Sequence, residues 1–388
     1  MAAHEQCDGV VCFAAVDWWY HSQGHSERQL MRRLVDSMPV VWVNPIALRA
    51  PRPGRTEMPF RRIARKLGST LKGFRRDESG IRVLSPLFIP VYNDRFARVN
   101  GWLLRVQARL AARAVGIRHP AAFVTLPTAA HAVDRGRWHR VVYNRSDNFR
   151  ALPEVDQRFV GGLEDHLLTR ADEVLYVNHE LLASEQAQVR RATYLGHGVD
   201  AAHFAAGASQ PEPTEVRDLP RPILGFYGAL DEFTIDLDLL VALADRFPSA
   251  TLLLIGTQAM ELDRLLERPN VTYRGPIPYD VLPAYAARFD VGLMPWLRNE
   301  WIRFCNPIKL KEYLAAGFPV VSVDFPELAP YRDLVAAADS HEAFLDAVAQ
   351  ALGDQDPARR AARQARVADS SWAGLAERVR VSLAGDAG

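Results

Sequence analysis

The segment 299–320, which reads NEWIRFCNPIKLKEYLAAGFPV, carries the strongest set of residues that could do chemistry. Asn306 and Pro307 are residue types that favour the N-cap and the first position of a helix. The N–H groups at such a helix start have no partner within the helix. Together with the positive end of the helix dipole, they attract phosphate. The segment therefore predicts a helix that begins at an anion-binding site.

Three charged side chains accompany this predicted helix start. Arg303 precedes the cap and Lys309 falls in the first turn, so both could add positive charge. Glu312 follows in the next turn, where its carboxylate could accept hydrogen bonds from both hydroxyls of a ribose. The alternative is an ordinary amphipathic helix with a solvated Glu and Lys, and spacing alone does not separate the two.

A second group of chemically useful residues follows the first predicted strand, in the loop WWYHSQGH at residues 18–25. His21 and His25 could act near neutral pH as a base or as partners of a phosphate. Gly24 has no Cβ, so backbone could approach a ligand there. The aromatic residues 18–20 could stack on a sugar ring or pack in a core. The alternative for the histidines is a polar loop with solvated imidazoles.

Two further candidates lie at the ends of predicted strands. Asp147, in YNRSDNF, could orient an acceptor hydroxyl or act as a base, which would need burial to raise its pKa from about 3.9. The alternative role for Asp147 is to cap the turn before Asn148. His197, in GHGVD, is predicted at the last strand of the first domain, facing the hinge, where it could touch a donor phosphate.

The pair Asp236 and Asp238 forms a DxD string, a pattern that can hold a metal. Here the pair begins a predicted helix, and its side chains would point in different directions around the helix axis. Acidic residues at the positive end of a helix dipole are therefore the better interpretation. No GxGxxG, P-loop or HExxH pattern is present, and we predict no metal ligands.

Short β-rich runs alternate with longer helical patterns in both halves of the chain, which predicts an α/β fold with doubly wound parallel sheets. Strands are predicted over residues 10–16, 40–43, 81–84, 122–125, 141–144, 173–177, 223–227, 251–255, 271–273, 291–294 and 320–323. Helices are predicted over residues 26–37, 99–115, 155–170, 180–190, 236–246, 279–288, 307–316, 342–352 and 372–383. Ligands of such sheets bind outside the carboxyl ends of the strands.

The length of 388 residues favours two domains. Residues 206–220 are rich in Pro, Ala and acidic side chains and lack an apolar period, which indicates a linker. The predicted organisation is an acceptor domain over residues 1–205 and a donor domain over residues 221–368. A final helix in residues 369–388 is predicted to pack back toward the first domain.

The amino-acid composition and net charge indicate the general class of protein. Apolar residues make up 48% and charged residues 24% of the chain, and the net charge is +1, so a nucleic-acid partner is not expected. No membrane-spanning run and no signal peptide are recognisable. The three cysteines form no CxxC pair, which fits reduced thiols. We therefore expect a cytoplasmic protein.

Residues 55–76 are locally basic, with apolar residues interleaved among the cations Arg61, Arg62, Arg65, Lys66, Lys72, Arg75 and Arg76. This pattern is typical of an amphipathic helix on an anionic membrane surface, and it would also suit an acidic acceptor. The alternative is a solvated basic helix. A peripheral position at the inner face of the cell membrane is one expectation from this segment.

The run NPIKLKEYLAAGFPVVS resembles the donor-binding segment of GT-B glycosyltransferases of the retaining family-4, or group 1, type. The whole chain is similar to bacterial teichuronic-acid-type transferases, through VVCFAAVDWWYHSQG, YNRSDNF, GHGVDAAHF, ILGFYGALDEFTIDLDLL and RGPIPYDVLPAYAARFDVGLMPW. The resemblance implies two Rossmann-like domains that face a cleft. It also implies transfer of a sugar, with retention, from a nucleotide diphosphate.

The same resemblance implies roles for the residues of the second half. Glu312 would hold the ribose, and backbone groups of Asn306, Pro307 and Ile308 would hold phosphate or sugar. Residues 274–277, from Arg274 to Ile277, would frame the base. The loop 228–234, which begins at Gly228 and contains Glu232, would close over the diphosphate.

Two positions depart from the pattern of the broad family. Phe304 stands where the family has a second Glu that touches the donor sugar. Residues 229–234 contain no cation where the family has an Arg and a Lys, so Arg303 and Lys309 are the local candidates to neutralise the diphosphate.

The function expected from these features is transfer from a nucleotide-diphosphate sugar to a glycan, lipid-linked or small-molecule acceptor, in cell-surface polysaccharide or glycoconjugate biosynthesis. Neither an essential metal nor another cofactor is expected. The rivals are a nucleotide-sugar epimerase of the same fold and a non-catalytic protein that binds nucleotides or glycans.

Overall fold

The computed structural model describes residues 6–20, 24–48, 68–136, 138–152, 155–354 and 356–385. The chain forms two compact units. The first comprises the described residues up to Gly196 and those from Trp372 onward, and the second is His197–Ser371. Each unit has its own sheet.

The described part of the first unit contains an eight-stranded sheet in the order β3-β4-β2-β1-β5-β6-β7-β8. Its pairs are parallel except for β3, which runs antiparallel to β4 at the edge. The strands are β1 (Gly9–Phe13), β2 (Val40–Val43), β3 (Phe74–Arg76), β4 (Arg82–Leu84), β5 (Pro120–Val124), β6 (Val141–Arg145), β7 (Glu173–Tyr176) and β8 (Ala192–Tyr194). The central strands are buried along their whole length because helices cover both faces of a parallel sheet.

Helices α1 (Ser26–Leu34), α2 (Asp94–Ala114), α3 (Gln157–Arg170) and α4 (His179–Glu185) connect these strands. Short 3-10 helices lie at Pro127–Ala132, Phe149–Ala151 and Gln186–Gln188. Strand β1 pairs with β2 on one side and with β5 on the other. The chain direction across the sheet therefore reverses at β1, and the loops after β1 and β5 lie at the switch point where open α/β sheets bind ligands.

The second unit repeats this plan with a six-stranded parallel sheet in the order β13-β11-β9-β14-β15-β16. Its strands are β9 (Ile223–Tyr227), β11 (Thr251–Ile255), β13 (Val271–Tyr273), β14 (Val291–Met294), β15 (Val320–Val323) and β16 (Val335–Ala338). The short strands β10 (Leu230–Asp231) and β12 (Gln258–Ala259) pair separately. The switch point lies between β9 and β14.

The helices of the second unit surround that sheet and its hydrophobic core. They are α5 (Ala201–Ala205), α6 (Thr214–Arg217), α7 (Leu237–Arg246), α8 (Asp263–Leu266), α9 (Leu282–Ala286), α10 (Glu300–Arg303), α11 (Ile308–Ala316), α12 (His341–Ala351) and α13 (Pro357–Ala368), with 3-10 helices at Ala206–Ser209 and Pro326–Tyr331. The last helix, α14 (Trp372–Ala384), belongs to the first unit. There Arg378 donates a hydrogen bond to the carbonyl of Tyr194.

The predicted α/β class with two doubly wound parallel sheets is confirmed, and the prediction that the DxD string begins a helix is also right. Asp236 is the N-cap of α7 and accepts a hydrogen bond from the N–H of Leu239 at 2.9 Å. Ser340 likewise caps α12 through the N–H of Ala343. The DxD string therefore begins a helix, as its polar pattern indicated.

Several predicted boundaries were wrong. The second unit begins at residue 197 rather than 221, and residues 206–220 are not a free linker. Val216 of α6 is fully buried in the core of this unit. Helix α13 was not predicted; in it the buried Arg363 pairs with Asp354.

The basic segment is only partly described. Residues 55–67, with Arg61, Arg62, Arg65 and Lys66, lie outside the described residues. Residues 68–72 are helical, but Phe74–Arg76 is the edge strand β3, so the predicted amphipathic helix does not extend to residue 76. Backbone pairing with β4 outweighs the helical spacing of the apolar residues there.

Close backbone packing at the carboxyl ends of β9 and β11 gives a test of the fold. Gly256 has φ +146°, and a Cβ there would overlap the carbonyl oxygen of Gly228. Gly256→Ala should therefore lower the free energy of unfolding by at least about 1–3 kcal/mol, the usual range for backbone strain. Urea denaturation of the purified variant measures this change.

Gly162→Ala is the matched control, because Gly162 lies in α3 with nothing within 4 Å of the added Cβ. A helix interior gains roughly 0.5–1 kcal/mol from Ala in place of Gly. Equal stability of the two variants would contradict the close approach of the Gly228 and Gly256 backbones.

Candidate functional site

The carboxyl end of β9 forms the centre of the candidate site in the second unit. Gly228 follows this strand with φ +146°, and its N–H donates to the carbonyl of Ile255 at 2.9 Å. A Cβ at Gly228 would overlap the ammonium nitrogen of Lys309. Only glycine therefore lets the lysine reach the start of the loop that follows β9.

Lys309 lies in α11 with its Nζ 4.4 Å from the ring centroid of Phe226 and 5.4 Å from that of Trp296. Burial lowers the pKa of Lys309 to about 8, against the opposing effects of Glu312 and Asp231. The side chain therefore remains mostly cationic at neutral pH in a setting with little water. A cation held this way attracts an anion more strongly than a solvated one does.

Glu312 is buried one turn further along α11. Its Oε2 accepts a hydrogen bond from the Tyr227 hydroxyl at 2.9 Å. Burial raises the pKa of Glu312 to about 7, although the Tyr227 hydrogen bond and the charge of Lys309 act in the opposite direction. Glu312 is thus a buried acceptor close to its titration point, unlike the solvated Glu of the alternative interpretation.

The start of α11 differs from its prediction by one residue. Pro307 has extended backbone angles and is the N-cap, so the helix begins at Ile308. The Asn306 amide does not cap the helix but donates to Oε2 of the buried Glu327 at 3.4 Å. The helix start lies beside the switch point, as an anion site would require, but without a side-chain cap.

A cavity of about 580 Å³ lies beside α10, the helix that precedes α11 along the chain. It is lined by Arg298 and Arg303 together with the carboxylates of Asp324 and Asp339. Arg303 ends α10, with its guanidinium 5.5 Å from the ring centroid of Phe304. Arg298, which the sequence analysis missed, donates to the carbonyl of Ala338 at 3.1 Å. Its cation is a further candidate to neutralise phosphate.

The other predicted donor residues lie on loops of the same unit. Asp231 accepts hydrogen bonds from the N–H groups of Phe233 and Thr234, which makes the loop after β10 compact and leaves Glu232 exposed at its tip.

Arg274 follows β13, and its guanidinium donates to the carbonyl of Glu215 in α6. Ile277 is half-buried against the hydrophobic core of the unit. The roles of Glu232, Arg274 and Ile277 toward a ligand remain predictions.

His197 does not belong to the last strand of the first sheet. That strand, β8, ends at Tyr194, and His197 begins the second unit. Lys311 of α11 donates to the backbone carbonyl of His197. Burial, together with the charge of Lys311, lowers the pKa of His197 to about 3. His197 is therefore neutral at physiological pH and would meet a phosphate only as a neutral ring.

Asp147 lies after β6 in the first unit, in a loop held by an arginine that the sequence analysis missed. Arg145 is fully buried and pairs with Glu164 and Glu185. Its guanidinium also donates to the Asp147 carbonyl oxygen at 2.6 Å. Burial raises the pKa of Asp147 to about 7, and the charge of Glu27 acts in the same direction, against the charge of Arg145. That pKa suits a general base.

Glu27, near the start of α1, holds the loop after β1. Its Oε1 accepts hydrogen bonds from the N–H groups of Ala15 at 3.0 Å and Val16 at 2.8 Å. His25 is the exposed N-cap of α1, and Gly24 beside it is half-buried. His21 lies outside the described residues. Glu27 therefore links the His25 loop electrostatically to Asp147, a connection that the sequence analysis did not find.

The aromatic residues of this loop are not equivalent. Trp18 is buried and packs edge-on against Trp42, with ring centroids 5.0 Å apart. For Trp18, core packing is therefore the right alternative. Tyr20 is 40% exposed.

Among the described residues, one group has the composition and spacing of metal ligands: His131, Asp134 and His166 of the first unit. His131 Nδ1 lies 2.8 Å from one Asp134 oxygen, and His166 Nε2 contacts the other. Hydrogen bonds with the carboxylate account for both contacts. None of the three is a predicted site residue.

Known proteins resemble this chain in sequence. The family described as Glycosyl transferases group 1 matches residues 221–354. A protein of Bacillus subtilis (strain 168) named as a teichuronic acid biosynthesis glycosyltransferase is 27% identical over 236 residues, which cover 56% of this chain and 59% of that protein.

Solved structures share the fold. Sucrose-phosphate synthase from Thermosynechococcus elongatus superimposes with a TM-score of 0.71 at 15% identity, covering 96% of this chain and 97% of its own. A UDP-forming alpha,alpha-trehalose-phosphate synthase from Burkholderia xenovorans, in complex with glucose-6-phosphate, gives a TM-score of 0.66 at 13% identity, covering 97% and 99%. At these identities the likeness establishes the fold alone.

The two Rossmann-like units and these solved structures define a GT-B fold. The matches to the group 1 family and to the teichuronic acid relative support a GT-B glycosyltransferase of group 1. The resemblance noted in the sequence is thereby confirmed. Within the described residues, no helix has the length and apolar character needed to cross a membrane.

The contact between Tyr227 and Glu312 can be tested directly. In Tyr227→Phe the ionised carboxylate loses a hydrogen-bond donor that stabilises it, so the pKa of Glu312 should rise above about 7. Infrared titration of the carboxyl band, with Glu312→Gln as the background to subtract, measures the change. An unchanged or lowered pKa would show that Tyr227 does not stabilise the carboxylate.

Proposed function

We propose that this chain transfers a sugar from a nucleotide-diphosphate sugar to a hydroxyl acceptor. One observation carries the proposal: the half-buried Lys309 and the buried Glu312 lie a turn apart on α11, at the carboxyl end of β9. A cation and a hydrogen-bond acceptor in this arrangement suit the diphosphate and the ribose of one ligand. The group 1 family match covers the same residues.

In this proposal Glu312 accepts hydrogen bonds from the ribose hydroxyls. Lys309 and the N–H groups at the start of α11 hold the diphosphate, with the backbone of Asn306, Pro307 and Ile308. Arg298 and Arg303, in the neighbouring cavity, supply the positive charge that the loop 229–234 lacks. The segment from Arg274 to Ile277 frames the base.

The reaction breaks the bond between the anomeric carbon and the diphosphate oxygen and forms a bond to the acceptor oxygen. The acceptor hydroxyl loses its proton to Asp147, whose raised pKa fits that role. His25 and His21 orient the acceptor.

Charge on the departing diphosphate is stabilised by Lys309 and the arginines, so we propose that no metal is essential. Retention of the anomeric configuration is proposed from the family resemblance.

We further propose a glycan, lipid-linked or small-molecule acceptor, and a place in cell-surface polysaccharide or glycoconjugate biosynthesis. The name of the Bacillus subtilis relative supports that pathway. The UDP-forming neighbour makes a UDP-sugar the first donor to test. A cytoplasmic location, peripheral at the membrane through residues 55–76, belongs to the same proposal.

The affinity for a nucleotide sugar should be bell-shaped in pH. Binding favours ionised Glu312 and protonated Lys309, so affinity should be highest between the pKa of about 7 of Glu312 and the pKa of about 8 of Lys309. Glu312→Gln should remove the acid limb and Lys309→Met the alkaline limb. Glu312→Ala should weaken binding overall, and calorimetry across the pH range measures all three.

Glu342→Gln, a change of an exposed glutamate in the first turn of α12, is the control and should keep both limbs. Thermal melts of each variant establish that the fold is intact. Nucleotide-sugar affinity that is unaffected by both Glu312→Ala and Lys309→Met would refute the donor site.

The same proposal assigns catalysis to residues of the first unit and nucleotide binding to residues of the second unit. Asp147→Asn keeps the shape of the side chain but removes its basicity, and a general base contributes typically 10²–10⁴-fold in rate. Asp147→Asn and His25→Ala should therefore lower kcat strongly, while the nucleotide Kd changes less than about tenfold, or 1.4 kcal/mol. Single-turnover assays beside donor titrations measure both quantities.

Near-normal turnover in both variants would remove these residues from the mechanism. Loss of nucleotide affinity instead would mean that the first unit also binds the donor. Donor turnover without an acceptor would favour an epimerase, and nucleotide binding without any turnover would favour a non-catalytic binding protein.

A further inference from the structure

Helix α2 (Asp94–Ala114) exposes an apolar stripe on its outer face. The inner face packs into the first unit through small residues, where a Cβ on Gly101 would overlap His131. The outer face carries apolar side chains three or four residues apart, so they share one side of the helix. They are Val99, Trp102, Val106 and Leu110, with exposed fractions of 37%, 53%, 38% and 59%.

The chain segment beside α2 widens this stripe and is held firmly. The Gln107 amide accepts from the Leu87 N–H at 2.8 Å and donates to the Leu87 carbonyl at 2.9 Å. Asn100 binds the backbone of Ile89 in the same two-bond manner. Leu87, 66% exposed, and Val91, 39% exposed, extend the apolar surface. These hydrogen bonds hold the backbone of the segment against α2, so the added apolar surface has a defined position.

The charged residues of α2 itself are all basic except at the first residue of the helix. Asp94 is the only acidic residue of α2. Five arginines surround the stripe, with Arg95 and Arg113 at its two ends and Arg98, Arg105 and Arg109 along one flank, as the helical period of 3.6 residues places them. Arg105 and Arg109 are also held by His131 and Trp138.

The apolar stripe and the arginines together indicate which kind of partner binds this face of α2. A second copy of the chain, paired through the same face, would bring the two sets of arginines into one interface. An anionic lipid surface instead pairs phosphate with the arginines and takes the apolar stripe into the boundary between headgroups and acyl chains. We propose that the outer face of α2, with Leu87 and Val91, is a docking surface for anionic membranes.

This surface uses none of residues 55–76, and the inference does not depend on the proposed sugar transfer. It places a membrane contact on described residues of the first unit. Trp102 is the central anchor, because indole side chains favour the membrane interface. The arginines provide the attraction that salt should weaken.

Co-sedimentation of the full chain with vesicles of equal parts phosphatidylglycerol and phosphatidylcholine tests the inference. Wild type should bind these vesicles at low salt and bind pure phosphatidylcholine far less. Removing Arg95, Arg98 and Arg113 as Gln should weaken binding about fivefold for each arginine, the factor that corresponds to about 1 kcal/mol. Trp102→Ser with Leu110→Ser should weaken binding at least about tenfold, from lost apolar burial.

The controls change the same residue types elsewhere on the first unit. Val381→Ser alters a 48% exposed valine of α14, and Arg158→Gln alters an exposed arginine of α3; neither should change binding. Melting temperatures of all variants establish that the fold is intact, since the altered side chains are exposed.

Three outcomes would overturn the inference. One is a wild-type chain that binds no anionic vesicle. Another is full binding by the α2 variants, whether or not neutralising Arg61, Arg62, Arg65 and Lys66 abolishes it. The third is a wild-type dimer in light scattering that Trp102→Ser converts to monomers, which would make the face a contact between copies.

Discussion

The second unit depends on placing a cation and a carboxylate inside protein at the end of β9. Lys309 and Glu312 both lose solvent there, and their pKa values move toward each other, to about 8 and about 7. The charge of each group favours the charged form of the other, and the Tyr227 hydroxyl also favours ionised Glu312. The glycine at residue 228 follows from the same constraint, because any Cβ would occupy the space of the ammonium.

The first unit holds its titratable group by different means. The loop of Asp147 is fixed by Arg145, which is itself buried between Glu164 and Glu185. The arginine satisfies the loop backbone and balances two acids, while Asp147 is desolvated beside Glu27. In each unit burial thus raises the pKa of one carboxyl group to about 7.

The sequence predicted features that depend on local pattern. Alternating apolar runs located the central strands, and the acidic pair that begins with Asp236 located a helix start. Features that depend on distant partners were missed. Arg145 pairs with acids 19 and 40 residues away. The arginine-rich α13 was not predicted, because its arginines gave no sign that Arg363 is buried in a pair with Asp354.

The departures from the family pattern have a physical consequence for the donor site. A loop with acidic residues and no cation after Gly228 would repel a diphosphate unless positive charge came from the opposite side. In the proposed site that charge comes from Lys309 of α11 and from Arg303 and Arg298 in the cavity beside α10. Lys309 lies a single turn from Glu312, so the proposed contacts with phosphate and with ribose both depend on one helix. A change in either residue therefore alters the electrostatics of the other, and their contributions to binding should not be additive.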